Sequence, residues 1–351
     1  MQGLFLYRYH SDAHSLHFAL ACYCSQATRS PVCLRMSAVG FVGLGIMGEG
    51  MAARLLSQGV AGSEEKPLVV WNRTGSKCTD LQEKFPDKIV LIKETAKEVV
   101  EACSITYCML STPEASRAVF EGETGVLEGV SEGKAIVDCA TLAEADMVRM
   151  DKDVTAKGGR FLEAPVSGSK GPALDGTLIF LCAGSQEVFD EVKEDGLHAM
   201  GKASHFFAPT VGFGTRAKLV VNSLMGTMLA AFAEGLALSE SVGLDPATMI
   251  QVIGQGAIQS PVFNLKGPKM IKKDHAPNFP LKHAHKDMAL ACDMASEAMV
   301  EFSIIEQAEK VFREAREDTD LQLADEDFSA VFELIHKKSA SEYSKKRMRE
   351  E

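Results

Sequence analysis

Several features are missing from these 351 residues, and each absence removes a class of function. The nine cysteines never fall into a CxxC spacing, so neither a zinc knuckle nor a disulfide framework is indicated and a reducing compartment is the simplest setting. Positive charge is in deficit, with 37 Lys and Arg against 48 Asp and Glu and a formal net charge of −11, so a nucleic-acid footprint has no cationic excess to draw on. No uninterrupted apolar run reaches the ~20 residues of a membrane-spanning helix. Internal repeats and low-complexity tracts are absent as well. Acidic residues are almost missing from residues 1–35, where Arg8, Arg29 and Arg35 face only Asp12. That bias fits an organellar (mitochondrial or plastid) transit peptide; the alternative is an unstructured extension with Met36 as the true start and a cytoplasmic protein.

The chain that remains has enough apolar surface, at 46% hydrophobic residues, for a core in each of two domains. From Ala38 onward, short β-branched runs alternate with amphipathic stretches, the pattern of a parallel sheet covered by helices on both faces. Strands are expected at Val39–Gly43, Leu68–Trp71, Ile89–Ile92, Ile105–Leu110, Ala135–Asp138, Phe161–Ala164, Leu178–Ala183 and His205–Phe207. Cys103 and Cys108 are read as core residues. After Pro209 the character changes: a proline-free apolar run from Thr215 to Gly243 predicts a long helix, followed by helices at 245–254, 284–299, 302–317 and 327–338. The expected fold class is α/β, with an N-terminal Rossmann-type dinucleotide-binding domain and a C-terminal all-α domain. Its expected boundaries are a targeting or disordered extension over 1–35, the Rossmann domain over 36–209, a helical substrate and oligomerisation domain over 210–338 and a charged tail over 339–351.

A strand entering Gly43-Leu44-Gly45-Ile46-Met47-Gly48, with a helix expected over Glu49–Gln58, places a GxGxxG motif where glycines permit a tight turn and close approach of backbone to a pyrophosphate at a helix N-terminus. The second strand ends in Asn72-Arg73-Thr74 rather than in the carboxylate that would hydrogen-bond the NAD ribose. Arg73 offers a cationic fork to a 2′-phosphate, so NADPH is expected to be preferred and NADH weaker.

Three further stretches carry polar groups that a purely structural sequence would not need. Glu163 to Thr177 leaves a strand into a loop with Ser167, Gly168 and Ser169 at its tip, a nest suited to a carboxylate. Lys218 and Asn222 are four residues apart on one face of the long apolar helix. Phe279 to Asp287 opens another helix. His283, His285 and Asp287 invite a metal reading, but residues two apart on a helix do not share a face and no metal is expected.

These segments resemble the β-hydroxyacid dehydrogenase family, and most closely its glyoxylate/succinic semialdehyde reductase branch, over roughly residues 38–335. The marks are GLGIMG at 43–48, NRT at 72–74, DCATL at 138–142, APVSGSKGPA at 164–173, the Gly212 to Asn222 pattern and FPLKHAHKD at 279–287. The resemblance implies an NADP-dependent oxidoreductase acting on CH–OH groups, reducing a short aldehyde acid such as glyoxylate or succinic semialdehyde. The long apolar helix in a small second domain suggests buried contacts with another subunit, so a homodimer or homotetramer is expected. By resemblance Lys218 is catalytic with Asn222 beside the substrate. Thr141, Ser167, Gly168, Phe279 and Asp287 contact substrate, and Lys286 and Thr141 contact cofactor together with the motif residues 43–48 and 72–74. The chain departs from the family at Arg54, often Asn, and at Ala140, often Ser, which withdraws a hydroxyl expected near the nicotinamide. The related 6-phosphogluconate dehydrogenases carry His and Glu for decarboxylation where this chain has Val221 and Met225, which implies hydride transfer alone. Two alternatives stand beside this reading: an NAD-dependent 3-hydroxyisobutyrate dehydrogenase, and a non-enzymatic oligomerising module like a nuclear relative that lacks the lysine.

Overall fold

The structure, a computed structural model, describes residues 38–339, so the expectations for residues 1–35 and for all but the first residue of the tail lie outside the described residues. Among the described residues nine strands form the sheet: β1 (Val39–Val42), β2 (Leu68–Trp71), β3 (Val90–Ile92), β4 (Ile105–Cys108), β5 (Ala135–Asp138), β6 (Arg160–Glu163), β7 (Val166–Ser167), β8 (Leu178–Gly184) and β9 (Gly201–Phe206). Their order is β3-β2-β1-β4-β5-β6-β8-β7, with β9 beside β8. β1 to β6 are parallel and follow the doubly wound 3-2-1-4-5-6 arrangement, whose ligand crevice lies outside the carboxyl ends of the strands.

The period-2 pattern of β1 explains how both faces are covered. Val39 and Phe41 join one apolar cluster with Leu55, Leu68 and Tyr107, while Val42 joins another with Val69, Val99 and Ile136. Between them Gly40 leaves room for a neighbouring strand residue, since a Cβ there would lie 2.6 Å from Thr106 Oγ1. Cys103 and Cys108 are buried, as expected.

The parallel reading fails at one edge. β8 runs antiparallel to β6 and β7 and parallel to β9. β6 and β7 share one register against β8, interrupted at Ala164-Pro165, where the proline has no N–H to give to the ladder but its carbonyl still accepts from Leu181 N at 2.9 Å. The segment expected as a loop tip is therefore a strand extension. Ser167 ends it, Gly168 turns it with φ of 140°, and a short helix, Lys170–Asp175, follows Ser169.

The helical half is organised around the 29-residue helix Phe213–Ser241, which packs against Leu281–Glu297 and Ser303–Glu317 over a core that includes Leu229, Phe232, Leu236, Met288 and Phe312. By length and composition that helix could cross a membrane, but half of its most apolar window is buried within this fold. Helix Pro261–Lys272 was not expected from sequence, and it contains Pro268. Ser260 caps its start by accepting from Val262 N at 3.3 Å, and Gly267 lets Ile250 and Phe232 pack against it so closely that a Cβ would lie 2.9 Å from Ile250 Cδ1. The helix expected over 327–338 begins instead as a 3₁₀ turn, Phe328–Ala330, before residues 331–339 become helical.

Candidate functional site

The three glycines of the β1 turn do three different things. Gly43 has φ of 97° and lies so near Met109 that a Cβ would sit 2.4 Å from its carbonyl oxygen. Gly48 lets helix Gly48–Ser57 pack on the turn, since a Cβ would fall 1.9 Å from Gly43 O. Gly45 meets nothing within 4 Å, and the helix behind it has no side-chain cap. Backbone open to approach, beside an uncapped helix N-terminus, fits a dinucleotide pyrophosphate. Asn72 fixes the turn from β2 by accepting from Leu44 N at 2.9 Å and donating to Thr74 O at 2.9 Å.

A cavity of about 440 Å³ extends from this turn, lined by Gly43, Leu44, Gly45, Asn72, Arg73 and Thr74. Lys77, Leu110, Ser111 and Thr124 also line it, and sequence reasoning had not singled them out. Lys77 follows the NRT segment by one helical turn, a spacing that could have been noticed. Ile46, Met47 and Gly48 face a second cavity of about 140 Å³ with Thr141, Phe279, His283, Lys286 and Asp287. Lys286 Nζ donates to the Thr141 carbonyl, which ties the DCATL strand end to the helical half. His285 turns away, with its ring nitrogens at 2.9 Å from Glu309 and 3.1 Å from Arg316. Ala140 is fully buried and belongs to an apolar cluster, next to Thr141, which lines the second cavity.

A third cavity, about 360 Å³, lies between the sheet edge and the helices. Ser167, Gly168 and Ser169 lie on one wall, Lys218, Asn222 and Met225 on a second, and Phe279, Phe328, Ser260, Leu265 and Lys266 are among the other lining residues. Lys218 is only 5% exposed and Asn222 3%. Lys218 Nζ donates to Asn222 Oδ1 at 2.9 Å, and Asn222 Nδ2 donates to Asp287 Oδ2 at 2.6 Å. The other oxygen of Asp287 lies 3.0 Å from Lys286 Nζ, off the direction of a hydrogen bond. Burial pulls the Lys218 ammonium down to about 8, with Asp287 opposing and Lys286 adding to the shift. Thr141 and Asp287, expected as substrate contacts, line the second cavity rather than this one.

Sequence reasoning also missed the pair Lys266–Asp327. Lys266 Nζ donates to both Asp327 oxygens at 2.8 Å and sits 4.8 Å from the Phe328 ring centre. Asp327 also accepts from Asn278 N at 3.0 Å and Phe279 N at 3.3 Å, and so holds the backbone that presents Phe279. A lysine inside an LKGP run gives no periodic signal that its head is buried.

Fold and site together define a nicotinamide-dinucleotide-dependent oxidoreductase. Comparison with known proteins narrows this. A family model described as the NAD binding domain of 6-phosphogluconate dehydrogenase matches residues 38–212, and one described as NAD-binding of NADP-dependent 3-hydroxyisobutyrate dehydrogenase matches residues 212–335. The chloroplastic glyoxylate/succinic semialdehyde reductase 2 of Arabidopsis thaliana is 43% identical over 300 residues, covering 85% of this chain and 79% of that one. Glyoxylate/succinic semialdehyde reductase 1 of the same plant is 42% identical over 85% of this chain and 98% of its own. The human cytokine-like nuclear factor N-PAC is 34% identical over 84% of this chain but only 50% of its own. Among solved structures, the 3-hydroxyisobutyrate dehydrogenase of Salmonella typhimurium superposes with a TM-score of 0.75 at 25% identity, covering 85% of this chain and 99% of that one. The chain belongs to the β-hydroxyacid dehydrogenase family and is an oxidoreductase acting on CH–OH groups.

Proposed function

We propose that this enzyme reduces a short aldehyde acid, glyoxylate or succinic semialdehyde, to its hydroxy acid with NADPH. The observation that carries the reading is the buried ammonium of Lys218 facing Ser167 and Gly168 across one cavity. A bound nicotinamide dinucleotide supplies the hydride. The chain's own residues do the rest. Ser167, Gly168 and Ser169 receive the substrate carboxylate, which orients the carbonyl and converts an encounter into a positioned one. Lys218 donates a hydrogen bond to the carbonyl oxygen, stabilises its developing negative charge and delivers the proton. Asn222, held by Asp287, fixes the direction of that ammonium. Gly43, Leu44, Gly45, Ile46, Met47 and Gly48 hold the pyrophosphate, while Asn72, Arg73 and Thr74, with Lys77 beside them, receive the adenosine end and its 2′-phosphate. Thr141, Phe279 and Lys286 close the nicotinamide side.

The test is a panel of short aldehyde acids and 3-hydroxyisobutyrate, assayed with NADPH, NADH, NADP and NAD. Glyoxylate or succinic semialdehyde with NADPH should give the highest kcat/KM, and a higher value for 3-hydroxyisobutyrate with NAD would reverse the assignment. Lys218→Ala should lower kcat about 10²- to 10⁴-fold with cofactor binding kept; wild-type turnover in this variant would remove the role of Lys218, and no turnover by the intact protein with any acid of the panel would favour an oligomerising module. Residues 1–35 serve as an organellar targeting segment, supported by their acid-poor composition. A fluorescent fusion of that segment should leave the cytoplasm; one that stays there refutes it.

A further inference from the structure

Glu163 ends β6 fully buried, and the mechanism above gives it no task. Its side chain crosses to the start of the long helix, where Oε1 accepts from Gly212 N at 2.6 Å and Gly214 N at 2.8 Å. Oε2 accepts from Thr215 N at 3.3 Å and from the Thr215 hydroxyl at 2.9 Å. The helix has no side-chain cap of its own, because Gly212 stands at the capping position, so a carboxylate from the sheet satisfies its first free amides. Gly214 permits the approach: a Cβ there would lie 2.3 Å from Leu181 O on β8.

The position of this cap along both segments gives it meaning. Ser167 follows Glu163 by four residues along one strand register, and Lys218 follows Thr215 by three along the helix. One carboxylate thus joins the strand that carries the cradle to the helix that carries the ammonium, close to where each enters the cavity. We propose that Glu163 is a positioning residue that sets the distance between the Ser167–Gly168 cradle and the Lys218 ammonium by capping the helix on which Lys218 sits. This rests on the reading of that cavity as a carboxylate cradle facing a proton donor.

Two aldehydes separate positioning from a general structural role. Succinic semialdehyde uses both the cradle and Lys218, whereas butanal has no carboxylate and needs only Lys218. Glu163→Ala should lower kcat/KM for succinic semialdehyde at least about tenfold, since a displacement of 1 Å at a reacting group can cost ~10²-fold. Butanal should change less than about twofold, because its carbonyl has no second anchor to disagree with. Glu163→Gln keeps an acceptor for Gly212 and Gly214 and should fall between, and it decides the matter if the alanine variant does not fold. Cofactor affinity, read by fluorescence titration, should be unchanged in both. Equal losses for the two aldehydes, or a semialdehyde-to-butanal ratio retained by both variants, overturn the inference. A wild-type ratio near one instead overturns the cradle reading itself, and this inference with it.

Discussion

At the residue scale, Lys218 is a charge almost wholly withdrawn from solvent. Burial favours the neutral amine, so its proton is given up at about pH 8 rather than at the ordinary 10.5. In the proposed mechanism reduction needs the ammonium, so the rate of aldehyde reduction should fall as pH rises through about 8, and oxidation of the hydroxy acid should rise over the same window. A reduction profile flat to pH 9.5 would contradict this. The same shift sets a sign for stability. The unfolded chain holds its Lys218 proton up to about 10.5, so burial costs stability below pH 8 and the cost fades between the two values. Lys218→Met at pH 7 should therefore be inactive without a lower Tm, a separation of stability from turnover.

The glycines of the cofactor turn divide in a similar way. Gly45 faces open space, so Gly45→Ala should leave Tm nearly unchanged and weaken cofactor binding about tenfold by obstructing backbone approach. Gly48 faces the carbonyl of Gly43, so Gly48→Ala should cost stability, on the order of 1–3 kcal/mol, before any cofactor is added. Equal effects of the two substitutions on melting and on titration would remove the distinction.

At the scale of elements, the proposed adenosine side of the cofactor site rests on the end of β2. The segment Asn72-Arg73-Thr74 has no carboxylate to repel a 2′-phosphate, and Arg73 and Lys77 border the same cavity. Arg73→Ala should raise KM for NADPH while NADH changes little, so the NADPH:NADH ratio of kcat/KM should drop about tenfold or more. An unchanged ratio would take Arg73 out of phosphate recognition. The β6–β7 strand shows how element boundaries depend on partners. Read alone, Ala164-Pro165 ends a strand, yet β8 supplies the ladder on the other side and carries the register through to Ser167. Pro268 likewise lies inside a continuous helix, next to Gly267, against which Ile250 and Phe232 pack.

For the whole molecule, the long helix leaves Val220, Val221, Leu224 and Met228 exposed along one face while its opposite face carries Lys218, Asn222 and Leu229 inward. Side chains at this spacing form a continuous apolar stripe, which fits burial against a second subunit in a homodimer or homotetramer. Leu224→Glu should shift the protein to a smaller species in sedimentation velocity, and an unaltered distribution would argue against this face as the interface.

The alternation of strands and helices, the glycine turn, the absence of acid after β2 and the order of the marked segments were all legible in the chain, because each is local: a period, a spacing, or a missing carboxylate. Lys218 and Asn222 were legible too, as polar groups on one face of an apolar helix. Glu163, Lys266 and Asp327 were not, because a buried charge is tolerated only by partners distant in sequence, and no local pattern announces which carboxylate will meet the amides of Gly212 and Gly214 or the ammonium of Lys266. The antiparallel turn of the sheet at β8 belongs to the same category. Periodicity fixes which face of a segment is apolar, but only long-range hydrogen bonding decides what that segment lies beside.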